Sequence, residues 1–204
     1  MERFMKYLEE LKTALDLIPM SQFDEIVDIL HQARLDRKQV FVMGNGGSAA
    51  TASHFMCDLA KATRKPDWPR FRAIGLNDNM AILSAYSNDE GYENALAEQM
   101  MNLIQPNDVV FAISCSGNSS NVIKAVSLAQ QSDAVIIGLT GRDGGSLAGM
   151  CDVNISAQTD AIQQQEDIHS MICHMIIVAL IELPETEVPT HQTVYAEIQP
   201  VSLD

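Results

Sequence analysis

Basic side chains are scarce in this chain of 204 residues, which has 13 Lys and Arg against 27 Asp and Glu and a formal net charge of −14. No Lys or Arg follows Arg142, whereas ten acidic residues do. Nucleic-acid phosphates are usually met by surplus Lys and Arg, so this balance argues against non-specific nucleic-acid binding. Any anionic ligand must be held by local N–H and hydroxyl donors rather than by a general positive field.

Paired cysteines are also absent from the sequence. The four cysteines are widely spaced and none forms a C-x-x-C pair: Cys57, Cys115, Cys151 and Cys173. The spacing indicates neither a disulfide framework nor a thiolate zinc site. We expect four reduced, buried thiols.

No long apolar run suggests a membrane helix. The longest late run, residues 175–181, is too short to cross a bilayer. Residues 1–6 are amphipathic and carry an acid, so they resemble neither a signal peptide nor a transit peptide. We therefore expect a cytoplasmic protein that does not contact membranes.

The composition, 47% apolar and 20% charged, is typical of a globular chain, and the length suits one sizeable domain. Residues 1–36 repeat apolar side chains at helical spacing around Pro19, which predicts two helices. We expect this pair to cover a sheet edge or to mediate oligomerisation. The main domain is predicted at residues 37–183, and residues 184–204 form a tail without clear period.

Short apolar runs alternate with helical patterns in the main domain. Strands are predicted at residues 40–43, 71–76, 109–113, 134–139 and 153–155. Continuous apolar runs of this kind are typical of strands buried on both faces of a parallel sheet. The alternation predicts an α/β fold with a doubly wound parallel sheet, whose ligands bind at the carboxyl ends of the strands.

The first predicted strand ends in a glycine-rich turn, residues 44–48. Its three glycines allow backbone angles that side chains forbid, and they let N–H groups approach an anion at the start of the next helix. The turn lacks both the third glycine of G-x-G-x-x-G and the Gly-Lys-Ser/Thr of a Walker loop. Taken alone, an ordinary strand-to-helix turn explains it slightly better. The helix after it carries His54 and Asp58 on one face.

A second turn, residues 114–119, follows the strand at 109–113. It places three serine hydroxyls and a glycine where a buried strand ends and a helix begins, so neutral donors converge at the positive end of the helix dipole. Serine-rich turns also occur as plain N-caps. The clustering of hydroxyls favours a phosphate clamp that uses no lysine.

Six segments occur in a fixed order between residue 40 and about residue 182. They are Gly44-Asn45-Gly46-Gly47-Ser48, His54-Phe55, Asn88-Asp89-x-Gly91-Tyr92-Glu93, Ile113-Ser114-x-Ser116-Gly117-Asn118-Ser119, Leu139-Thr140-Gly141-x-Asp143-Gly144-Gly145 and the helix from Gln165 to His174. This succession resembles the sugar isomerase (SIS) domain family and, within it, the phosphoheptose isomerases. The resemblance implies a three-layer αβα fold with a five-stranded parallel sheet and a homotetramer with sites at subunit interfaces. It also implies the isomerisation of sedoheptulose 7-phosphate to D-glycero-D-manno-heptose 7-phosphate.

Carried over by position, the family's substrate-binding residues fall on Asn45, Gly46, Gly47, Ser48, Asn88, Asp89, Ser114, Cys115, Ser116 and Ser119. Cys115 replaces the usual threonine, and because a thiol is a poor donor we expect one hydroxyl contact to be lost. The metal and catalytic positions fall on His54, Asp58, Glu166 and His174, where the family typically has His, Glu, Gln and His.

The two substitutions, Asp58 and Glu166, leave two interpretations open. As ligands, two histidines and two carboxylates attract Zn²⁺ more strongly than the family's own set, provided the geometry closes. As catalysts, they leave the base as either Asp58 or Glu166, with His174 moving protons on the oxygens and a metal steadying the enediolate. Against both, His54 and His174 are interpretable as core histidines with satisfied hydrogen bonds.

We therefore expect an aldose–ketose isomerase that acts on a phosphosugar and uses zinc. The alternative is a non-catalytic SIS module that senses phosphosugars or binds a protein such as a replication initiator. Some relatives of that kind keep the fold and the tetramer but lack the catalytic residues. The presence of both His54 and His174 argues against the alternative.

Overall fold

The computed structural model describes residues 1–66 and 68–184, so the predicted tail lies almost wholly outside the described residues. Within these ranges the strands are β1 (Gln39–Met43), β2 (Arg72–Gly75), β3 (Val109–Ser114), β4 (Val135–Gly141) and β5 (Val153–Ala157). The helices are α1 (Glu2–Leu15), α2 (Ser21–Leu35), α3 (Gly47–Lys61), α4 (Met80–Asp89), α5 (Ala95–Met101), α6 (Ser120–Gln131), α7 (Gly145–Ala148) and α8 (Ile162–Glu182).

The strands form one parallel sheet in the order β2-β1-β3-β4-β5. The chain moves outward to β2 on one side of β1 and to β4 and β5 on the other side of β3, so the direction of winding reverses between β1 and β3. This reversal is the switch point at which open α/β sheets bind ligands. The prediction of a three-layer αβα fold with five parallel strands is confirmed.

Both faces of the central strand β3 are buried, which explains its unbroken apolar sequence. Val109, Phe111 and Ile113 pack toward α2, α3 and α8, whereas Val110 and Ala112 pack toward α5 and α6. Alternate side chains of a strand point to opposite faces, so a strand covered by helices on both sides must be apolar throughout. Burying each large apolar side chain contributes about 1.5–3 kcal/mol.

The N-terminal pair of helices forms as the apolar spacing predicts. Helix α1 is tied to α8, because the Tyr7 hydroxyl donates to Asp167 and the Gln164 amide donates to the Tyr7 carbonyl at 3.4 Å. The hydrogen bond to the carboxylate raises the pKa of Tyr7 to about 12. Part of the predicted apolar face of α1 nevertheless points outward, since Phe4 is 76% exposed and Leu8 is also exposed. The assignment of residues 1–36 to oligomerisation stays a prediction.

Three predictions from the sequence are wrong. The polar residues 88–93 predict a loop, but Asn88 and Asp89 end helix α4. The glycine-rich residues 140–145 predict a turn, but the short helix α7 begins at Gly145. The prediction of four buried thiols is confirmed only for Cys173, since Cys57 is exposed on the outer face of α3 and Cys115 and Cys151 are half-buried. Among the helices of residues 1–66 and 68–184, none is both long and apolar enough to cross a membrane.

Candidate functional site

A cleft of about 470 Å³ lies at the carboxyl edge of the sheet, beside the switch point. It is bounded by the turns after β1, β3 and β4 and by the first turn of α8. Six of the predicted substrate-binding residues line it: Asn45, Ser48, Ser114, Cys115, Ser116 and Ser119. The other four, which are Gly46, Gly47, Asn88 and Asp89, are outside its lining, and their contact with a substrate stays a prediction.

The turn between β3 and α6, residues 114–119, offers several donors to the cleft, and we call it the hydroxyl loop. The oxygens of Ser114 and Ser119 lie 3.3 Å apart. Ser116 Oγ accepts the N–H of Asn118 at 3.1 Å, which leaves its own O–H proton to donate elsewhere. The N–H of Val122 bonds the Asn121 side chain, which leaves the N–H groups of Ser120 and Asn121 at the start of α6 to point toward the same place. Together these groups can hold an anion without a lysine.

The glycine-rich turn after β4 supports the hydroxyl loop from behind. Gly117 has a φ of +60°, and a Cβ added there would lie 1.9 Å from the Gly144 carbonyl oxygen. The N–H of Leu147 donates to the Gly117 carbonyl at 2.9 Å. The N–H of Ser146 donates to Asn118 Oδ1 at 3.0 Å. The two turns therefore fit together because Gly117 has no side chain and tolerates a positive φ at the point of contact.

The glycine turn after β1, the other candidate anion site, already faces a carboxylate. Glu166 lies against the backbone at the start of α3, since a Cβ added to Gly47 would be 2.2 Å from Glu166 Oε1. A carboxylate near the N-terminus of a helix is favoured by the helix dipole. A phosphate at this turn would also meet the negative charge of Glu166. The glycine turn is therefore in contact with a carboxylate, whereas the hydroxyl loop itself contains no charged side chain.

A buried imidazole connects the hydroxyl loop to β4 and α8. His169 is 1% exposed, with its Nε2 2.8 Å from the Thr140 carbonyl oxygen and its Nδ1 3.9 Å from Cys115 Sγ. A carbonyl can only accept, so Nε2 carries the proton and Nδ1 faces the thiol as an acceptor. Burial lowers the pKa of His169 and raises the pKa of Cys115, so both groups are kept neutral. His169 thus contacts the Cys115 thiol from the interior of the protein. The sequence did not indicate this role of His169.

Three of the four predicted metal ligands come together further along α3 and α8. His54 Nε2 lies 2.9 Å from His174 Nε2 and 3.4 Å from Asp58 Oδ2, and the ligand atoms of all three residues lie within 4.8 Å of one another. Ligand atoms around a tetrahedral zinc are roughly 3.3 Å apart, so His54, Asp58 and His174 are spaced as residues that would hold such an ion. The interpretation as core histidines is wrong, because both are exposed, His54 with 53% of its side chain.

The fourth predicted ligand, Glu166, does not join this group among the described residues. It precedes His174 by eight residues, which corresponds to about 12 Å along α8. The two carboxylates considered as catalytic bases are therefore in different places. Asp58 lies beside two histidines, whereas Glu166 lines the cleft together with the hydroxyl loop. Coordination of one ion by all four residues stays a prediction.

Several lining residues were not singled out from the sequence. Among the described residues that line the cleft, Arg142 is the one cation, and it bonds Asp160 Oδ1 at 2.9 Å and the Asp160 carbonyl at 3.2 Å. Its φ of +53° is uncommon for a residue with a side chain. Asp143 and Gln165 also line the cleft. The only signals for these two residues in the sequence were the motif at residues 139–145, which contains Asp143, and the last helix, which contains Gln165.

Comparison with known proteins identifies the family. The sequence pattern described as "SIS domain" matches residues 3–141. The chain belongs to the SIS domain family. This SIS protein is 36% identical over 173 residues to the phosphoheptose isomerase of Helicobacter hepaticus, covering 85% of this chain and 87% of that protein. It is 40% identical over 151 residues to the phosphoheptose isomerase of Geotalea daltonii, covering 74% and 78% respectively.

A solved structure shows the same relationship. Phosphoheptose isomerase GmhA from Neisseria gonorrhoeae superposes on this SIS protein with a TM-score of 0.81 and 28% identity, over 89% of this chain and 96% of that chain. The predicted resemblance to phosphoheptose isomerases is therefore confirmed, and with it the prediction of an isomerase.

The fit between the hydroxyl loop and the glycine-rich turn after β4 yields a test. Gly117→Ala should lower the free energy of unfolding by about 1–3 kcal/mol and weaken anion binding, because the new side chain meets backbone at a positive φ. Gly149→Ala is the matched control, since its nearest neighbour is the Ser146 carbonyl oxygen at 3.9 Å. Urea denaturation and calorimetry with a phosphosugar measure both effects. Equal stability and affinity in the two variants would contradict the packing described.

Proposed function

We propose that this SIS protein converts sedoheptulose 7-phosphate into D-glycero-D-manno-heptose 7-phosphate. The observation that carries the proposal is the cleft, in which hydroxyl and N–H donors of one loop converge at the switch point of the sheet. A seven-carbon substrate is supported by relatives named phosphoheptose isomerase, which match this chain over most of its length. The exposed His54–Asp58–His174 group is the reason to prefer an enzyme over a non-catalytic module.

We assign the phosphate of the substrate to the hydroxyl loop. Ser116 and Ser119 would donate their hydroxyl protons to its oxygens, and the first N–H groups of α6 would add to them. The net charge of −14 repels an anion at long range, so binding rests on these short-range donors.

The chemistry requires a second group of residues at some distance from the phosphate. In sedoheptulose 7-phosphate the carbonyl carbon and the phosphorylated carbon are near opposite ends of the chain. The seam between α3 and α8 leads from the cleft, past Glu166, to Asp58 and His174. A ketose bound with its phosphate in the hydroxyl loop could extend its reactive end along this seam.

We assign the carbon-bound proton to Asp58 and the oxygen-bound protons to His174. An aldose–ketose isomerisation removes a proton from the carbon next to the carbonyl and returns one to the neighbouring carbon, while protons move between the two oxygens. These steps need a base and an acid–base group close together, as Asp58 and His174 are. A zinc ion held by His54, Asp58 and His174 would supply Lewis-acid stabilisation of the negative charge on the enediolate oxygens.

We also propose a homotetramer with sites at subunit interfaces. Exposed apolar side chains lie on α1 and on the outer face of α8, among them Phe4, Met171, Met175 and Val178. Met171, Met175 and Val178 flank His174 on the same helix face. A second copy packed there would cover these side chains and shield the exposed His54–Asp58–His174 group from water.

The cytoplasmic location expected from the sequence stays a prediction.

Incubation of the purified protein with sedoheptulose 7-phosphate, followed by ¹H NMR, tests the activity directly. We expect the aldoheptose signals to grow, and to grow faster when zinc is added to protein treated with a chelator. Reaction in D₂O should introduce deuterium at C2 of the aldose, since the proton passes through the base. The absence of turnover both with and without zinc would contradict the proposal.

The two groups of residues should be separable by substitution. Each hydroxyl bonded to a charged oxygen contributes about 1.5–3 kcal/mol, so Ser116→Ala should weaken the phosphosugar by roughly ten- to a hundredfold without unfolding the protein. Asp58→Asn should instead lower kcat with little change in affinity. Glu166→Gln, which introduces the family's usual amide, should retain turnover. Calorimetry and steady-state kinetics distinguish these results.

Unchanged phosphosugar affinity in Ser116→Ala would mean that the phosphate is bound elsewhere, with the glycine turn as the remaining site. A loss of kcat in Glu166→Gln as large as that in Asp58→Asn would contradict the choice of base.

A further inference from the structure

Three polar side chains from separate segments meet at the wall of the cleft. Asn45 in the turn after β1 and Asn121 at the start of α6 exchange two amide hydrogen bonds, both 2.8 Å long. The hydroxyl of Tyr92, from the segment after α4, lies 2.7 Å from Asn45 Oδ1. Asn121 is 2% exposed and Tyr92 is 50% exposed, so the network runs from the interior to the surface.

One backbone group fixes the direction of every hydrogen bond in this network. The N–H of Val122 can only donate, and it lies 3.0 Å from Asn121 Oδ1, which must therefore be the oxygen. The Asn45 atom facing that oxygen must then be Nδ2, and the atom facing Asn121 Nδ2 must be Asn45 Oδ1. The Tyr92 hydroxyl, which faces the Asn45 oxygen, must act as a donor.

The donor count then shows what Asn45 can offer to a ligand. Its Oδ1 accepts two hydrogen bonds, from Asn121 and Tyr92, and is fully used. Its Nδ2 has two protons, of which one goes to Asn121 Oδ1. No other acceptor for Nδ2 occurs among the described residues, and Asn45 lines the cleft. One N–H of Asn45 is therefore left to donate to a ligand.

We infer that Asn121 and Tyr92 are positioning residues that hold the Asn45 amide in one orientation, so that it presents an N–H donor and not its oxygen to the phosphosugar. This inference rests on the proposed function. The inference connects Tyr92, which belongs to the motif at residues 88–93, to the cleft through Asn45. Asn88 and Asp89 of the same motif are outside the lining of the cleft.

The segment that carries Tyr92 is attached to the same helix as Asn121. Lys124 on α6 donates to Asn94 Oδ1 at 2.8 Å and lies 3.9 Å from the Glu93 carboxylate. Tyr92 and Asn121 therefore contact Asn45 from segments that are bonded to each other through Lys124. Asn45 belongs to a different segment, the turn after β1. The network connects the two sides of the switch point, β1 and β3, through side chains.

Kinetics on three variants test the role of Tyr92. Tyr92→Phe removes one hydroxyl and should raise KM about three- to tenfold with kcat nearly unchanged. Tyr86→Phe is the matched control, because its hydroxyl accepts from Asn102 at 3.1 Å and has no contact with Asn45 in the structure. In an Asn45→Ala background, Tyr92→Phe should have no further effect, since it acts through the amide. Additive losses in the double variant would overturn the inference.

Side-chain amide NMR provides a readout that does not depend on activity. In the NH₂ groups of Asn45 and Asn121, assigned with Asn45→Ala and Asn121→Ala, the N–H that bonds the other amide should exchange slowly with water. Tyr92→Phe should shift the Asn45 signals, and Tyr86→Phe should not. Unshifted signals in Tyr92→Phe would overturn the inference even if the enzyme is active. A parent protein that turns over no phosphosugar would contradict the proposed function, whereas the amide signals would still decide whether the network exists.

Discussion

Binding an anion with neutral donors is the constraint on which the rest of this structure depends. A chain with a net charge of −14 cannot attract a phosphosugar at long range, so its donors must be arranged before the ligand arrives. Parallel pairing of β1 and β3 at the switch point puts two helix starts side by side. Glu166 lies against the start of α3, and the proposed function assigns the phosphate to the other helix start, at residues 114–119. The glycines at 117 and 144 then hold the hydroxyl loop in shape.

The sequence was a good guide to the fold because the buried sheet imposes its pattern on neighbouring residues. Strands covered on both faces must be apolar throughout, and β3 and β4 could be read from their apolar runs with errors of one or two residues. The exposure of Phe4 on α1 could not be read in this way, since a helical apolar face looks the same whether it meets its own domain or a second chain. Helix α7 was missed because its four residues are too few for a periodic signal.

The contacts of the candidate site are of two kinds, those between residues close in the sequence and those between residues far apart in it. The hydroxyl loop and the pair His54–Asp58 are local in sequence and were predicted from spacing or from the family resemblance. The position of Glu166 beside Gly47, the connection of His169 to Cys115 and the amide pair of Asn45 and Asn121 join residues far apart in the chain. No periodicity reports such contacts. These contacts could not be predicted from the sequence, because they form only where the strand order brings the turns together.

The proposed function places the phosphate in the hydroxyl loop and not in the glycine turn. A crystal structure of the Asp58→Asn variant with sedoheptulose 7-phosphate would test it most directly, because slow turnover should preserve the bound ketose. We expect phosphate oxygens within hydrogen-bonding distance of Ser116 Oγ and Ser119 Oγ, with Glu166 still against Gly47. A phosphate bound to the N–H groups of residues 46–48, with Glu166 displaced, would contradict it.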